Sequence, residues 1–238
     1  MAQTNSKPKS PSKPSGAGLN SGAPNNRVFV LSIIGIVVLG LAAVAYLAST
    51  RTAGESTASR ATDGSETAAV TTEGETLTRL PEDVRVSDET TDPDFGQVAP
   101  TLTGTGFDGG EVTIGADGSP KAVYFLAHWC PHCQDEVPLV QQLVEDGRVP
   151  EGLEIYGVST AVNSGQGNYP PSAWFDREGF TPTVVRDDAD SSAYQAFGGG
   201  GFPYVVYLDG ENRVVARSSG SLDADTIEQL WALTASQG

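Results

Sequence analysis

The chain has 238 residues, enough for one ordinary domain and additional segments. Its 14 basic residues stand against 30 acidic ones, a formal net charge of −16. Phosphate binding needs clustered basic side chains, so this balance argues against a nucleic-acid-binding protein. The two cysteines, Cys130 and Cys133, are too few for a disulfide-stapled scaffold and too close together to restrain a long loop.

The beginning of the chain predicts a membrane anchor. Residues 1–27 contain four basic residues and no acidic ones, and their polar composition predicts a disordered arm. Residues 28–48 contain no charged side chain, and a helix of that length covers the ~30 Å hydrocarbon core of a bilayer. The positive-inside pattern places the N-terminus in the cytoplasm. We therefore expect a single-pass protein of the cell membrane whose remaining residues are extracytoplasmic.

A cleaved signal peptide is the alternative for this segment. Small residues near its end, Ala45, Ala48 and Ser49, leave cleavage open. However, the apolar stretch exceeds the roughly 7–15 residues of a signal-peptide core, which favours a retained signal anchor. A buried core helix is disfavoured because no face of the segment is polar.

Composition divides the remainder into two parts. Residues 49–95 are rich in Thr, Ser, Ala, Gly, Glu and Asp, and predict a flexible extracytoplasmic linker. Residues 96–238 show the apolar periodicity of a folded domain.

The domain alternates between strand and helix patterns. A hairpin is predicted from 101–103 and 112–114. Further strands are predicted at 121–128, 153–160, 183–186 (an edge strand), 202–208 and 213–218. Helices are predicted at 131–145, 172–179 (with Ser172 as its cap), 191–197 and 222–233. Because strand–helix–strand crossovers give parallel strands and the last hairpin adds antiparallel ones, we expect an α/β fold with a mixed central sheet flanked by helices.

The two cysteines lie where the apolar strand 121–128 ends and a helix begins. Unpaired backbone N–H groups and the helix dipole favour an anion there, so the pKa of Cys130 is expected to fall from ~8.5 toward the ~3.5–7.5 range. Pro131 suits the first helical position because it has no N–H to leave unpaired. His132 favours the thiolate further when it is protonated or donates N–H. Cys133 follows at a spacing that closes a ring with Cys130.

A static disulfide and half of a zinc site are the alternatives for this motif. Zinc requires two further ligands, and the sequence has no second cysteine pair. His128 and His132 are the nearby histidines, and His128 is better explained as a strand-end residue with a backbone partner. We therefore expect no metal and no cofactor other than a redox-active Cys130–Cys133 disulfide.

Three segments resemble the thioredoxin-fold thiol–disulfide oxidoreductases, in particular the membrane-anchored TlpA/ResA-like (redoxin) group. They are KAVYFLAHWCPHC at 121–133, QDEVPLVQQL at 134–143 and FGGGGFPYVVYLDGENRVV at 197–215. The resemblance covers roughly residues 96–236 and implies a thioredoxin-like fold.

The resemblance also implies roles for individual residues. Cys130 would be the exposed nucleophile and Cys133 the buried resolving thiol. Pro203 matches the cis-proline that holds the substrate backbone and blocks metal capture by the thiols. Glu136 matches an acid near the buried cysteine, a candidate proton acceptor. Trp129 matches the aromatic residue that precedes the motif.

Two features depart from the family pattern. Phe202 stands where family members often have a small or hydroxyl residue, within a substrate groove expected to include Trp129, Pro131 and Pro203. The dipeptide Pro131-His132 is the one seen in DsbA-type oxidases. It favours disulfide donation, whereas the family framework favours reduction, and the sequence leaves both directions open.

We therefore expect a membrane-anchored, extracytoplasmic thiol–disulfide oxidoreductase that exchanges disulfides with secreted or membrane-associated clients. A membrane redox partner would reset the cysteine pair. Apocytochrome c maturation, general folding of secreted proteins and repair of one dedicated enzyme are all compatible clients. The alternatives are a non-enzymatic tethered binding or chaperone domain, and a peroxiredoxin. The peroxiredoxin is disfavoured because Ala127 stands where it needs threonine.

Overall fold

The computed structural model describes residues 65–81 and 84–238. The predicted arm (1–27) and the predicted membrane helix (28–48) lie outside these residues. Among the helices that are described, none is both long and apolar enough to cross a membrane.

Strands and helices alternate along the described residues, as the sequence predicts. The strands are β1 Thr71–Glu73, β2 Thr101–Gly106, β3 Glu111–Ile114, β4 Lys121–Leu126, β5 Glu154–Ser159, β6 Thr183–Arg186, β7 Tyr204–Leu208 and β8 Val214–Ser219. The helices are α1 Pro131–Glu145, α2 Pro171–Glu178, α3 Ser192–Ala196 and α4 Ala224–Ala235.

The strands form one mixed sheet in the order β1-β2-β6-β5-β4-β7-β8. Strand β3 lies outside this order and pairs with β2. The pairs β4–β5 and β5–β6 are parallel, because a helix connects each pair. The remaining pairs are antiparallel. The expected mixed α/β sheet is therefore confirmed. However, β6 lies between β2 and β5, so the prediction that 183–186 forms an edge strand is wrong.

The central strands are buried on both faces. Every residue of β4 and β7 is buried, including Lys121, as is typical of strands covered on both faces. Helices α1, α2 and α4 contribute to one apolar cluster and α3 to a second, each shared with strands of the sheet. Helix α1 buries the predicted residues Val137, Val140 and Leu143. Since α1 follows β4 directly, the core fixes the start of this helix at the cysteine motif.

Part of the predicted linker belongs to the folded domain. Strand β1 pairs with β2, and the backbone N–H groups of Leu77 and Leu80 donate to Ala196 (2.8 Å) and Gly198 (3.0 Å). Leu80 is completely buried. The prediction of a flexible linker over 49–95 is therefore wrong for its described part, because a few apolar side chains and backbone pairing tie that part to the sheet.

A buried ion cluster holds this preceding segment. The Arg217 side chain is fully buried and donates through Nε to Asp92 Oδ2 at 2.8 Å and through Nη1 to the Thr78 carbonyl at 2.7 Å. The third guanidinium nitrogen, Nη2, pairs with Asp92 and lies 3.3 Å from Asp94 Oδ2. Buried charges are tolerated only when paired in this way, so removal of either partner would leave an uncompensated charge in the core.

The N-terminus of helix α2 is capped by a residue that is distant in the sequence. Pro170, not the predicted Ser172, occupies the N-cap and provides no side-chain hydrogen bond. The carboxylate of Glu66 accepts from both the N–H and the hydroxyl of Ser172, each at 2.9 Å. A carboxylate at a helix N-terminus satisfies an unpaired N–H and complements the dipole. The predicted end at Gly179 is confirmed, with φ +65°.

Replacement of Asp92 tests whether the segment before residue 96 is part of the fold. We expect Asp92→Ala to lower the free energy of unfolding by about 3 to 5 kcal/mol, because Arg217 keeps its charge and loses its main partner. The matched control is Glu89→Ala, which removes the same charge from an exposed position nearby. Denaturant unfolding measures both, and an equal, small effect of the two substitutions would contradict the buried cluster.

Candidate redox site

Cys130 lies at the junction of β4 and α1, as predicted. It is the N-cap residue of α1, with extended backbone angles (φ −75°, ψ 121°), and Pro131 follows at the first helical position. Its N–H donates to the Ala127 carbonyl at 3.0 Å, and its carbonyl accepts from Gln134 N–H at 3.1 Å. Both cysteines are free thiols in this structure. The helix thus starts at the sulfur-bearing residue and presents its unpaired N–H groups there.

The surroundings of Cys130 favour its thiolate. Its pKa falls to about 6, because the Cys133 thiol donates a hydrogen bond to it and the N–H groups of Cys133 and His132 point at the sulfur. The charge of His132 adds to this effect, while burial opposes it. His132 is exposed to solvent. Cys130 is therefore mostly ionised at neutral pH.

The pKa values of the two thiols are shifted in opposite directions. The pKa of Cys133 lies far above its ordinary value, because its proton is held in the hydrogen bond to Cys130 and because the side chain is completely buried. Cys130 is only 6% exposed, so the expected exposed nucleophile is instead a largely covered thiol. The Phe202 carbonyl lies 3.7 Å from the Cys130 Sγ. The asymmetry between an ionised first thiol and a protonated second thiol nevertheless holds.

A cis peptide bond joins Phe202 to Pro203, at the position implied by the resemblance. Pro203 is buried, and its carbonyl accepts from Gly220 N–H at 2.8 Å. Through the contact between Phe202 and Cys130, the fold brings the two sequence motifs together, although they are 72 positions apart.

Aromatic side chains form the rim next to Cys130. The rings of Trp129 and Phe202 meet edge to face with centroids 5.9 Å apart, so the structure brings these two predicted groove residues together. Phe202 also stacks on Tyr194, with ring centroids 4.7 Å apart, and no sequence pattern connects Tyr194 with the site. The Trp129 indole N–H donates to the Ala161 carbonyl at 2.8 Å, which fixes the ring. Pro131, the other predicted groove residue, is exposed beside them.

Glu136 lies one helical turn after Cys133 and is 2% exposed. Burial raises its pKa to about 7, although the Leu222 N–H donates to its Oε2 at 2.9 Å. The thiol of Cys133 feels the charge of this carboxyl group. A buried carboxyl with a pKa close to neutrality is suited to accept and return a proton.

His128 holds the neighbouring loop and has no nitrogen left for a metal. Its Nδ1 is 2.7 Å from the Gly167 carbonyl, and its Nε2 is 3.2 Å from the N–H of Asn163. This arrangement fits a neutral ring that donates at Nδ1 and accepts at Nε2, and burial lowers the pKa of His128 accordingly. Within residues 65–81 and 84–238, no three His, Cys, Asp or Glu side chains are grouped as a metal site would require.

The loop that precedes Pro203 requires glycine for packing. A Cβ on Gly198, whose φ is +73°, would lie 2.4 Å from the Thr78 carbonyl, and one on Gly199 would lie 2.2 Å from the Tyr194 ring. The loop is therefore packed between the segment before residue 96 and the aromatic rim. Thr78 and Tyr194 could not be connected with the site from sequence, because no local pattern links them to it.

Solved structures of similar fold exist. A DsbF homologue from Corynebacterium diphtheriae superposes with a TM-score of 0.54 at 17% identity, covering 66% of this chain and 98% of that one. A candidate thiol:disulfide interchange protein DsbE from Chlorobium tepidum superposes with a TM-score of 0.50 at 22% identity, covering 60% and 98% of the two chains. At these identities the likeness shows the fold alone.

Sequence comparison gives a relative and a family. The thiol:disulfide interchange protein HelX of Rhodobacter capsulatus is 30% identical over 111 residues, which make up 47% of this chain and 58% of HelX. The chain thus matches a little over half the length of this curated relative. The sequence profile of the thioredoxin-like domain matches residues 108–234, which is more than half of the chain. The chain therefore belongs to the thioredoxin-like domain family.

Proposed function

We propose that this protein is a thiol–disulfide oxidoreductase that exchanges disulfides with client proteins through Cys130 and Cys133. One observation carries the proposal: an ionised thiol at a helix N-terminus lies beside the carbonyl that precedes a cis-proline. The similarity to HelX supports it, because that protein is a thiol:disulfide interchange protein. A purely structural cysteine pair would not require one thiol to be ionised and the other protonated.

In the reducing direction, the Cys130 thiolate attacks one sulfur of a client disulfide. The client disulfide breaks, its other sulfur leaves as a thiolate, and a Cys130–client mixed disulfide forms. Cys133 then attacks the Cys130 sulfur and displaces the second client thiolate. The client gains two electrons, and the cysteine pair loses two and becomes a disulfide.

Cys133 must lose its proton before it can attack. We infer that Glu136 accepts this proton, since its carboxyl is buried one turn away and has a pKa of about 7. In the oxidising direction the same steps run in reverse: a client thiolate attacks the Cys130–Cys133 disulfide, and the departing Cys133 thiolate takes the proton back. One set of residues thus serves both directions.

A client would bind in the groove beside Cys130. We infer that a client backbone lies along Pro203, against the rim that the touching rings of Trp129 and Phe202 form. Phe202 narrows this groove compared with the small residue of many TlpA/ResA-like proteins. Within the family we propose the membrane-anchored TlpA/ResA-like group, because segments 121–133, 134–143 and 197–215 resemble it.

We also propose that residues 28–48 anchor the protein in the cell membrane, with the domain outside the cytoplasm. The support comes from the uncharged apolar stretch and the basic arm before it. Disulfides form and persist in such compartments, so a disulfide exchanger has clients there. A membrane protein that accepts or donates electrons would reset the cysteine pair.

Single cysteine substitutions test the exchange scheme. We expect Cys130→Ser to abolish both insulin reduction and hirudin oxidation, because the attacking sulfur is gone. We expect Cys133→Ala to accumulate covalent client complexes that dithiothreitol releases, because Cys130 still attacks but nothing resolves the mixed disulfide. Electrophoresis without reductant measures the complexes. Full activity of Cys130→Ser, or an absence of trapped species, would contradict the scheme and favour a binding or chaperone domain.

The ionisation of Cys130 predicts the pH dependence of its reactivity. The alkylation rate of the reduced protein with iodoacetamide should rise as the pH passes through about 6 and level off above 7, because only the thiolate reacts. His132→Ala should move the midpoint upward, since it removes a positive charge near the sulfur. A midpoint near the ~8.5 of an ordinary thiol would exclude a stabilised thiolate.

The anchor is tested by membrane fractionation. The full chain should stay with membranes after carbonate washing, with its C-terminal domain open to protease added outside the cell. The double substitution Val37→Arg/Val38→Arg should release it, because each charge at the bilayer centre costs about 2.5 to 3.5 kcal/mol. Ser21→Arg/Asn25→Arg is the control that places the same charges in the basic arm. A soluble chain shortened at residues 45–49 would instead establish a cleaved signal peptide.

A further inference from the structure

The turn formed by residues 220–222, here called the 220 turn, connects β8 with α4 and contacts two parts of the redox site. The N–H of Gly220 donates to the Pro203 carbonyl at 2.8 Å. Two residues later, the N–H of Leu222 donates to Glu136 Oε2 at 2.9 Å. A displacement of this turn would therefore change both the cis-proline and the buried carboxyl group.

Arg85 holds the 220 turn from its outer side. Its carbonyl accepts from Ser219 N–H at 3.0 Å, and its guanidinium group donates to the Ser221 carbonyl. The side chain also lies against Gly220, where an added Cβ would be 3.2 Å from Arg85 Nη1. Arg85 belongs to the segment before residue 96, so this segment also contacts the turn that borders the redox site.

The charge of Arg85 acts on Glu136. Burial raises the pKa of Glu136, whereas the Leu222 N–H and the positive charge of Arg85 lower it. Negative charge on Cys130 opposes ionisation of the carboxyl group. Arg85 thus partly offsets the cost of a carboxylate in a buried site next to a thiolate.

Besides Cys130 and Arg85, the titratable groups around Glu136 are three that are neutral near pH 7 and one carboxylate. On the sheet side these are Tyr124 of β4 and Tyr207 of β7, whose pKa values burial raises. On its own helix, Cys133 is protonated. At the start of α4, Asp223 is ionised and feels the charge of Arg85, with a pKa lowered by hydrogen bonds from Thr226.

We propose that Arg85 is a positioning residue of the redox site, which acts through the 220 turn. It holds the backbone donors to Glu136 and Pro203 in place, and its guanidinium charge favours the Glu136 carboxylate that accepts the proton of Cys133. This inference rests on the proposed function, because proton transfer to Glu136 matters only if the cysteine pair exchanges disulfides.

The test is a carboxyl ¹³C NMR titration of Glu136 in the reduced full chain in detergent micelles, with Glu136→Gln identifying the signal. Arg85→Gln should move the titration midpoint upward by several tenths of a pH unit, and Arg85→Lys should keep most of the parent value. Arg213→Gln is the matched control. It removes the same charge at the other end of β8, where Arg213 pairs with Glu211, and should leave the midpoint unchanged.

An unmoved midpoint in Arg85→Gln, or an equal shift in Arg213→Gln, would overturn the proposal. Because Arg85 is exposed, its variants are expected to fold, and Arg85→Ala repeats the removal of charge while keeping the backbone bond to Ser219. A second readout is the pH profile of mixed-disulfide resolution, whose acidic limb should move with the Glu136 midpoint. Failure of the proposed function would appear differently, as absent disulfide exchange in the unsubstituted chain, whatever the titration shows.

Discussion

The hydrogen bond from the Cys133 thiol to the Cys130 thiolate, at the first turn of α1, is the interaction on which the rest of the site depends. The proton stays on Cys133. The Cys130 sulfur is therefore a thiolate that can attack, and the Cys133 sulfur remains a thiol. Burial alone would suppress ionisation of both thiols. For Cys130, the N-cap residue, the hydrogen bond from the Cys133 thiol reverses this, and the N–H groups of Cys133 and His132 add to the effect.

This site is supported by a segment that the family profile does not include. The profile matches 108–234, but the described chain contributes structure from residue 65 onward. Glu66 caps α2, Asp92 neutralises the buried Arg217, and the Thr78 carbonyl presses against the glycine loop before Pro203. Each contact joins the segment to an element near the cysteine pair. The folded domain therefore begins well before residue 108, where the profile match starts.

Sequence patterns predicted those parts of the fold that depend on neighbouring residues. The helix at 131–145 has the predicted bounds, because its proline start and its apolar spacing are local signals. The cis-proline at Pro203 was predicted from a motif resemblance, not from local physics. By contrast, Asp92 and Arg217 are 125 positions apart, and nothing in either local sequence marks the pairing. Strand β1 was missed for the same reason: three polar residues form a strand only because β2 offers them an open edge.

The most direct test of the central claim is the reduction potential of the Cys130–Cys133 pair in the full chain, measured by equilibration with glutathione at pH 7. A thiolate stabilised at Cys130 stabilises the reduced form, so the pair should be more oxidising than thioredoxin, with a potential above about −270 mV. A potential at or below about −270 mV would contradict the account, because the helix terminus would then contribute nothing to the thiolate beyond what thioredoxin already has.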